Sequence, residues 1–279
     1  MTPFEALNQA FSGMAGGGFS TENASIGAFG SFVQYVIVVF MFLTGINFTL
    51  HYGWLTGRWS AVRRSQELRV YTTIALVATA ALTLLVWIPG TVEGFEESFR
   101  VGLFQAISIL TTTGYVTADY ETWVPAAQIL LVLLMLVGGC SGSTSGSIKV
   151  LRHMIVAKEA RMAMRKLLHP RGVFVYKVDG KPVSADVLTS VSGFLILYLL
   201  VLLSGVLALT LIGLDPYSAM GAALSALGNV GPGFGVVGPA ETFAVLPAAA
   251  WWVLSALMLL GRLELYTVLV IFTLGYWRR

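Results

Sequence analysis

Charge and cysteine are what this chain has least of. Only 11% of its 279 residues are Asp, Glu, Lys or Arg, against 56% hydrophobic residues and a mean hydropathy of +0.80. Roughly 25% charge is usual for a soluble domain, so a water-soluble globule is excluded and a membrane protein is expected. The single cysteine, Cys140, excludes an internal disulfide and any multi-cysteine metal site. The three histidines, His51, His153 and His169, lack metal-ligand spacing. None is placed as a base beside Ser141, Ser143 or Cys140, so the chain is read as no enzyme. No basic stretch is interleaved with aromatic residues, which argues against a nucleic-acid partner. Met1 leads straight into Pro3 and a short amphipathic segment, so no leader peptide is expected.

Uncharged runs mark what is there: 23–57, 70–92, 101–118, 122–148, 187–214 and 242–261 contain no charged residue. A helix needs roughly 20 mostly apolar residues to cross the hydrocarbon. Crossings are expected over 32–52, 70–88, from Trp123 onward, over 187–214 and over 243–272. The run 101–118 is short and ends in Thr111, Thr112, Thr113 and Gly114, which predicts a re-entrant half-helix and loop shielded from lipid. Arginine and lysine concentrate in 58–69 and 149–181, which the positive-inside rule puts in the cytoplasm. Glu93, Glu96, Glu97, Asp119, Glu121, Asp215 and Glu241 occupy the opposite side, and Arg278 and Arg279 put the C-terminus inside. A multi-pass protein of the cell membrane, in contact with its lipid, is the expectation.

Three ten-residue stretches share one frame without gaps. Ala10–Phe19 reads AFSGMAGGGF, Ala106–Tyr115 reads AISILTTTGY and Ala223–Pro232 reads ALSALGNVGP. Alanine opens each, serine stands third (Ser12, Ser108, Ser225) and glycine ninth (Gly18, Gly114, Gly231). Such a repeat is one structural unit used three times. Each copy predicts a short helix running into a glycine loop, with Pro3 and Asp215-Pro216 as start signals of the first and third. A loop of this kind at membrane depth offers backbone carbonyls that can replace the hydration shell of a cation. Glycine reaches the backbone angles that such a loop needs.

A second irregularity is Gly138, Gly139, Cys140, Ser141, Gly142, Ser143, Thr144, Ser145, Gly146 and Ser147 inside an apolar run. Gly142 and Gly146 alone would fit close helix packing, but ten successive small residues favour an unwound loop whose freed backbone groups need partners. Lys149–Leu168 predicts a basic helix, and Val173–Val183 a hairpin turning at Asp179-Gly180. Arg262 is an arginine in the last crossing, which either faces a cavity or partner or snorkels to the interface. Glu264, two positions on, does not face it on a continuous helix.

Together, AGGGFST, TTTGY, NVGPG, GGCSGSTSGSIK and GRLELY, in that order, resemble the Trk/Ktr/HKT superfamily of potassium transporters, the first three being similar to the filters of the second, third and fourth units in its TrkH branch. The resemblance implies an all-α membrane protein in which an outer helix, a re-entrant pore helix with its filter loop and an inner helix repeat around a central ion pore. It divides the chain into an incomplete second repeat (1–57), a basic loop (58–69), a third repeat with its intramembrane loop (70–162), a basic loop or hairpin (163–185) and a fourth repeat (186–279). It implies an ion filter of Gly16, Gly17, Gly18, Phe19, Thr112, Thr113, Gly114, Tyr115, Asn229, Val230, Gly231 and Pro232, with K+ held at Gly18, Gly114 and Gly231. The gate it implies comprises Gly138, Gly139, Ser141, Gly142, Ser143, Thr144, Ser145, Gly146 and Lys149, with Arg262 projecting towards it. K+ is then the transported ion, no cofactor is bound covalently, and nucleotides bind only a cytosolic TrkA- or KtrA-like regulatory subunit; the pore subunit is a homodimer. The basic segment 149–181 either meets that subunit or lies solvated near anionic lipid. The first repeat and the outer helix of the second are expected to lie outside this chain. In this family a serine at the first filter's glycine position is associated with sodium permeation, so Na+ stays open as an alternative ion. The other reading is a truncated, non-conducting relative that assembles with a full-length transporter.

Overall fold

The computed structural model describes residues 1–172 and 177–277, and nearly all of its regular structure is helical. In chain order the helices are α1 (Pro3–Ala15), α2 (Ser31–Thr44), α3 (Phe48–Leu55), α4 (Trp59–Arg64), α5 (Gln66–Trp87), α6 (Phe95–Leu110), α7 (Pro125–Val137), α8 (Val150–Leu168), α9 (Ala185–Leu211), α10 (Pro216–Gly228), α11 (Ala248–Arg262), α12 (Leu265–Ile271) and α13 (Leu274–Trp277). Between α8 and α9, β1 (Lys177–Val178) and β2 (Lys181–Pro182) pair antiparallel across Asp179 and Gly180, both at positive φ. The expected hairpin is therefore present, although its residues 173–176 lie outside the described residues. So do Arg278 and Arg279, on which the placement of the C-terminus rested.

Local sequence explains most helix starts. Thr2 and Glu5 form a capping box ahead of Pro3, and the Asp215 carboxylate accepts the backbone N–H groups of Tyr217 and Ser218, each at 3.1 Å, ahead of Pro216. Glu96 and Glu97 lie in the first turn of α6, where a negative charge suits the helix dipole.

Among the described residues, only α5 and α9 are single helices long and apolar enough to cross a membrane. Two expected crossings prove to be bent pairs. The 32–52 crossing breaks after Thr44, where α2 and α3 meet at 101°, and the 243–272 crossing breaks at Leu263-Glu264, where α11 and α12 meet at 114°. At the first break packing leaves no room for a side chain. A side chain on Gly45 would collide with the Tyr71 phenol and approach the Thr111 methyl within 3.0 Å, and the Asn47 side chain caps α3 by accepting the Thr49 N–H at 2.8 Å. At the second, Glu264 sits at φ +62, a conformation disfavoured for a residue with a Cβ. The third expected crossing is a 13-residue helix, α7, followed by irregular backbone from Gly138 to Lys149.

Packing follows the repeat. The short helices α1, α6 and α10 are the ones that end in the three aligned stretches, and α6 and α10 are buried nearly all round at their C-terminal ends. Helix α6 lies against α5, α2 and α7, and α10 against α9, α11 and α7. Buried tyrosines lock the arrangement: the Tyr71 hydroxyl donates to the Phe42 carbonyl at 3.0 Å and the Tyr120 hydroxyl to the Gly233 carbonyl at 2.7 Å. The surface carries many large apolar side chains, among them Leu76, Val77, Leu199, Leu200 and Leu203 on α5 and α9, as lipid-facing helices require.

Candidate ion pathway

Each aligned stretch ends its helix in the same way. The N–H of the seventh residue bonds the carbonyl of the fourth, and the N–H of the eighth reaches back to the carbonyl of the serine. The bonds are Gly16 to Gly13 and Gly17 to Ser12; Thr112 to Ile109 and Thr113 to Ser108; Asn229 to Ala226 and Val230 to Ser225, all between 2.8 and 3.1 Å. This is a Schellman turn, which demands a left-handed residue at its corner. Gly16, Thr112 and Asn229 supply it at φ +66, +54 and +53. The ninth-position glycines, Gly18, Gly114 and Gly231, are left-handed again at φ +68, +80 and +111.

The serine column has a second use. The Ser12 hydroxyl accepts the Phe19 N–H at 2.7 Å, the Ser108 hydroxyl donates to the Tyr115 carbonyl at 2.6 Å, and the Ser225 hydroxyl donates to the Gly231 carbonyl at 2.7 Å while accepting its N–H at 3.1 Å. Each loop is thus stitched back onto its own helix by the one polar side chain that the copies share.

The three turns meet. A Cβ on Gly18 would overlap the Thr113 carbonyl, and one on Gly114 would overlap the Val230 carbonyl. Each of these glycines is therefore seated against the backbone of the next copy. On one side of the turns opens a recess of about 310 Å³ lined by Gly17, Gly18, Thr113, Gly114, Gly231 and Pro232, with the carboxylate residues Glu22 and Glu241 at its wall. Among the described residues no three His, Cys, Asp or Glu side chains gather as a metal site.

On the other side lies the irregular stretch that follows α7. Its backbone groups find partners at the end of α2 and in the second and third copies. The Cys140 N–H donates to the Gly45 carbonyl at 2.8 Å, the Gly146 N–H to the Thr112 hydroxyl at 2.6 Å and the Ser147 N–H to the Gly228 carbonyl at 3.0 Å. Thr144 packs against Gly16 and its hydroxyl bonds the Thr44 carbonyl at 3.4 Å. Close approach explains the glycines: a Cβ on Gly146 would overlap the Gly228 carbonyl, and one on Gly139 would overlap the Ser145 side chain. Gly138 and Gly142 are left-handed, at φ +68 and +73. Ser143 turns back on the Cys140 carbonyl through its hydroxyl at 2.6 Å.

Two cations hold the stretch from below. Arg262, the last residue of α11, donates to the Thr144 carbonyl at 2.9 Å, and Lys149 donates to the Ser145 carbonyl. A cavity of about 330 Å³ lies beside them, lined also by Arg152, Phe194, Tyr198 and Glu264. Arg152 pairs with Glu264 at 2.9 Å and lies 3.9 Å over the Phe194 ring. Arg262 thus contacts the irregular stretch directly. Glu264, rather than continuing the helix, turns to a different arginine. Three features escaped the sequence reading: the left-handed corner column, the Gly45 break and Glu67, whose carboxylate accepts the N–H groups of Ser141 at 2.6 Å and Leu151 at 3.2 Å. The first had a partial signal, since Gly16 and Asn229 are the residue types that favour a left-handed corner, whereas Thr112 in the same column is not.

A family model described as TrkH, cation transport protein, matches residues 2–276. The chain belongs to that family. The Trk system potassium uptake protein TrkH of Salmonella typhimurium is 36% identical over 280 residues, covering 100% of this chain and 58% of the relative. TrkI of Halomonas elongata, also a Trk system potassium uptake protein, is 38% identical over 282 residues, covering 100% of the chain and 57% of the relative. The crystal structure of the potassium transporter TrkH from Vibrio parahaemolyticus superposes with a TM-score of 0.92 at 35% identity, over 100% of this chain and 60% of that one. The chain thus spans little more than half the length of these TrkH-family proteins. Their names describe potassium uptake and no catalysed reaction.

Proposed function

We propose that this chain provides three of the four walls of a potassium-conducting membrane pore. The observation that carries the reading is the triplicated Schellman turn with a left-handed glycine two residues on, two of these glycines lying against carbonyls of the next copy. Gly16–Phe19, Thr112–Tyr115 and Asn229–Pro232 form the filter, and K+ passes between carbonyls near Gly18, Gly114 and Gly231. Backbone ligation supplies selectivity without an ionisable side chain. The carboxylates of Glu22 and Glu241 raise the local cation concentration at the outer mouth. The 138–149 stretch closes the path below, held by Arg262 and Lys149, and flux is passive once it withdraws.

The fourth wall comes from the part of the relatives that this chain does not span, and its filter residue decides between K+ and Na+. The face bearing α8 is cytoplasmic. There the pore subunit, as a homodimer, receives a TrkA- or KtrA-like subunit that carries the nucleotides. Rubidium uptake in cells lacking other potassium uptake, expressing the gene's full open frame, tests the function. Uptake that saturates with K+ and is abolished by Gly114→Ser is the expected result. A protein that reaches the membrane and conducts nothing, with or without a regulatory subunit, overturns it in favour of a non-conducting relative that assembles with a complete transporter.

A further inference from the structure

A groove of about 430 Å³ runs between α5 and α8, lined by Gln66, Arg69 and Val70 from one and by His153, Met154, Ala157, Lys158 and Arg161 from the other. The i, i+3 and i+4 spacing puts Gln66, Arg69 and Val70 on one face of α5, and Met154, Ala157, Lys158 and Arg161 on one face of α8. The groove therefore has a cationic rim and an apolar floor.

The cations have bonding capacity to spare. Arg69 spends its Nε on the Ser65 carbonyl at 3.3 Å and one terminal nitrogen on the Arg64 carbonyl at 3.1 Å, and a guanidinium has five N–H donors. Lys158 donates to the Gln66 side chain at 2.7 Å and the Lys177 carbonyl at 2.8 Å, out of three donors. Among the described residues Arg161 makes no ion pair or side-chain hydrogen bond. The nearby carboxylates are committed elsewhere: Asp179 accepts the Gln66 N–H at 2.7 Å, Glu67 faces Ser141 and Leu151, and Glu159 accepts the Ser192 hydroxyl at 3.2 Å. His153 bonds the Leu136 carbonyl at 3.3 Å and serves as wall.

What the groove opens onto identifies the occupant. Arg69 heads the exposed stripe of α5, which continues through Thr73, Leu76, Val77 and Ala80, with Leu76 and Val77 66% and 63% exposed. In a membrane this stripe faces acyl chains. A ligand entering from it carries its negative charge at one end and its apolar chains along Val70, Leu76 and Val77. A soluble acidic partner would have no use for that track. We propose that the groove binds an anionic phospholipid, its phosphate between Arg69, Lys158 and Arg161 and its chains along α5. The site stands apart from the ion path and from the residues that line it.

Native mass spectrometry of the purified, detergent-solubilised full-frame protein tests this with dioleoylphosphatidylglycerol against dioleoylphosphatidylcholine. The wild type is expected to retain the anionic lipid on the order of tenfold better, and Arg69→Gln with Arg161→Gln to erase most of that preference while the melting temperature in detergent stays unchanged. The equally basic but displaced pair Arg63→Gln with Arg64→Gln should keep it. Equal loss from both pairs would reduce the effect to general attraction by the basic face and overturn the site. So would a preference that survives in the groove variant. Glycerol 1-phosphate at millimolar concentration should not displace the lipid; if it does, the groove is a free-phosphate site and the acyl track plays no part. Should the groove variant fail to fold, a Leu76→Gln, Val77→Gln variant with Arg69 and Arg161 intact provides the second reading, with loss of lipid retention expected and full retention overturning the proposal.

Discussion

Glu67 and Ser141 are 74 residues apart in sequence, yet the Glu67 carboxylate accepts the Ser141 N–H at 2.6 Å. The same oxygen takes the Leu151 N–H at 3.2 Å in the first turn of α8. One buried acid at the start of α5 thus ties the interior of the irregular stretch, at Ser141, to the N-terminus of the helix that follows it, where a negative charge is favoured.

Replacing that anion by an amide should loosen the stretch. Hydrogen bonds to a charged acceptor contribute about 1.5–3 kcal/mol, and Glu67→Gln keeps the shape while removing the charge. Faster amide exchange at Ser141 and Leu151, with a lower melting temperature, is the expected outcome. Exchange at both sites indistinguishable from wild type would show that the bonds contribute nothing to the loop.

Arg262 acts at the middle of the same stretch. Its guanidinium donates to the Thr144 carbonyl at 2.9 Å, and Arg262→Gln removes a charged donor worth about 1.5–3 kcal/mol. If the stretch occludes the pore, its closed form loses roughly ten- to a hundredfold in population. Rubidium flux into proteoliposomes in the absence of any regulatory subunit should rise accordingly. Flux at the wild-type level would detach Arg262 from closure.

Gly114 and Gly57 separate two costs that a glycine can hide. Both are left-handed, at φ +80 and +76, but a Cβ on Gly57 meets nothing within 4 Å, whereas one on Gly114 overlaps the Val230 carbonyl. Gly57→Ala should cost only the backbone term, about 1–2 kcal/mol. Gly114→Ala adds a steric conflict between two copies of the repeat. Thermal unfolding in detergent should show a clearly larger loss for Gly114→Ala, and rubidium uptake should fail in that variant alone.

Asp215 gives the N-terminal cap of α10 a pH dependence. The Ser218 hydroxyl and backbone N–H, with the Tyr217 N–H, hold its carboxyl below the usual 3.8. A lowered folded value means that the cap's contribution is complete above the ordinary carboxylate range and is lost as pH falls through the folded value. Asp215→Asn should therefore flatten the acid limb of the thermal-stability profile, with the neutral plateau lowered towards the acid level by the contribution that the charge made. An unchanged acid limb would assign the acid sensitivity to other carboxylates.

The repeat, the caps at Thr2 and Asp215 and the uninterrupted helices α5 and α9 were legible because local chemistry decides them: an N-cap side chain, a proline at the first position, an apolar run of sufficient length. The breaks in α2–α3 and α11–α12 were not, because tertiary contacts make them. Gly45 breaks where the Tyr71 phenol and the Thr111 methyl fill the space, and Glu264 leaves helical geometry while held by Arg152. Glu67 was invisible for a related reason. In a basic loop one acid reads as a solvated neighbour, and only the fold brings Ser141 to it. The small-residue stretch was recognised as irregular from composition, yet the contacts that make Gly139 and Gly146 necessary lie on other segments.

The serine column allows the repeat itself to be tested. Ser225 makes two bonds to Gly231, to its carbonyl at 2.7 Å and from its N–H at 3.1 Å, whereas Ser12 makes one, from the more exposed Phe19 N–H at 2.7 Å. Losing a buried hydrogen bond costs about 1–3 kcal/mol when a partner is left unsatisfied, so Ser225→Ala should destabilise more than Ser12→Ala. The Schellman bonds to the Ser225 backbone carbonyl do not involve the side chain, so the turn itself persists. What loosens is the position of the Gly231 carbonyl. If that carbonyl lines the filter, Ser225→Ala should lower the preference for rubidium over sodium in flux assays while total conductance survives, and Ser225→Thr, which keeps the hydroxyl, should restore part of it. Selectivity that is unaltered in Ser225→Ala, in a variant whose stability has fallen, would confine the serine to holding the loop and remove the Gly231 carbonyl from the filter.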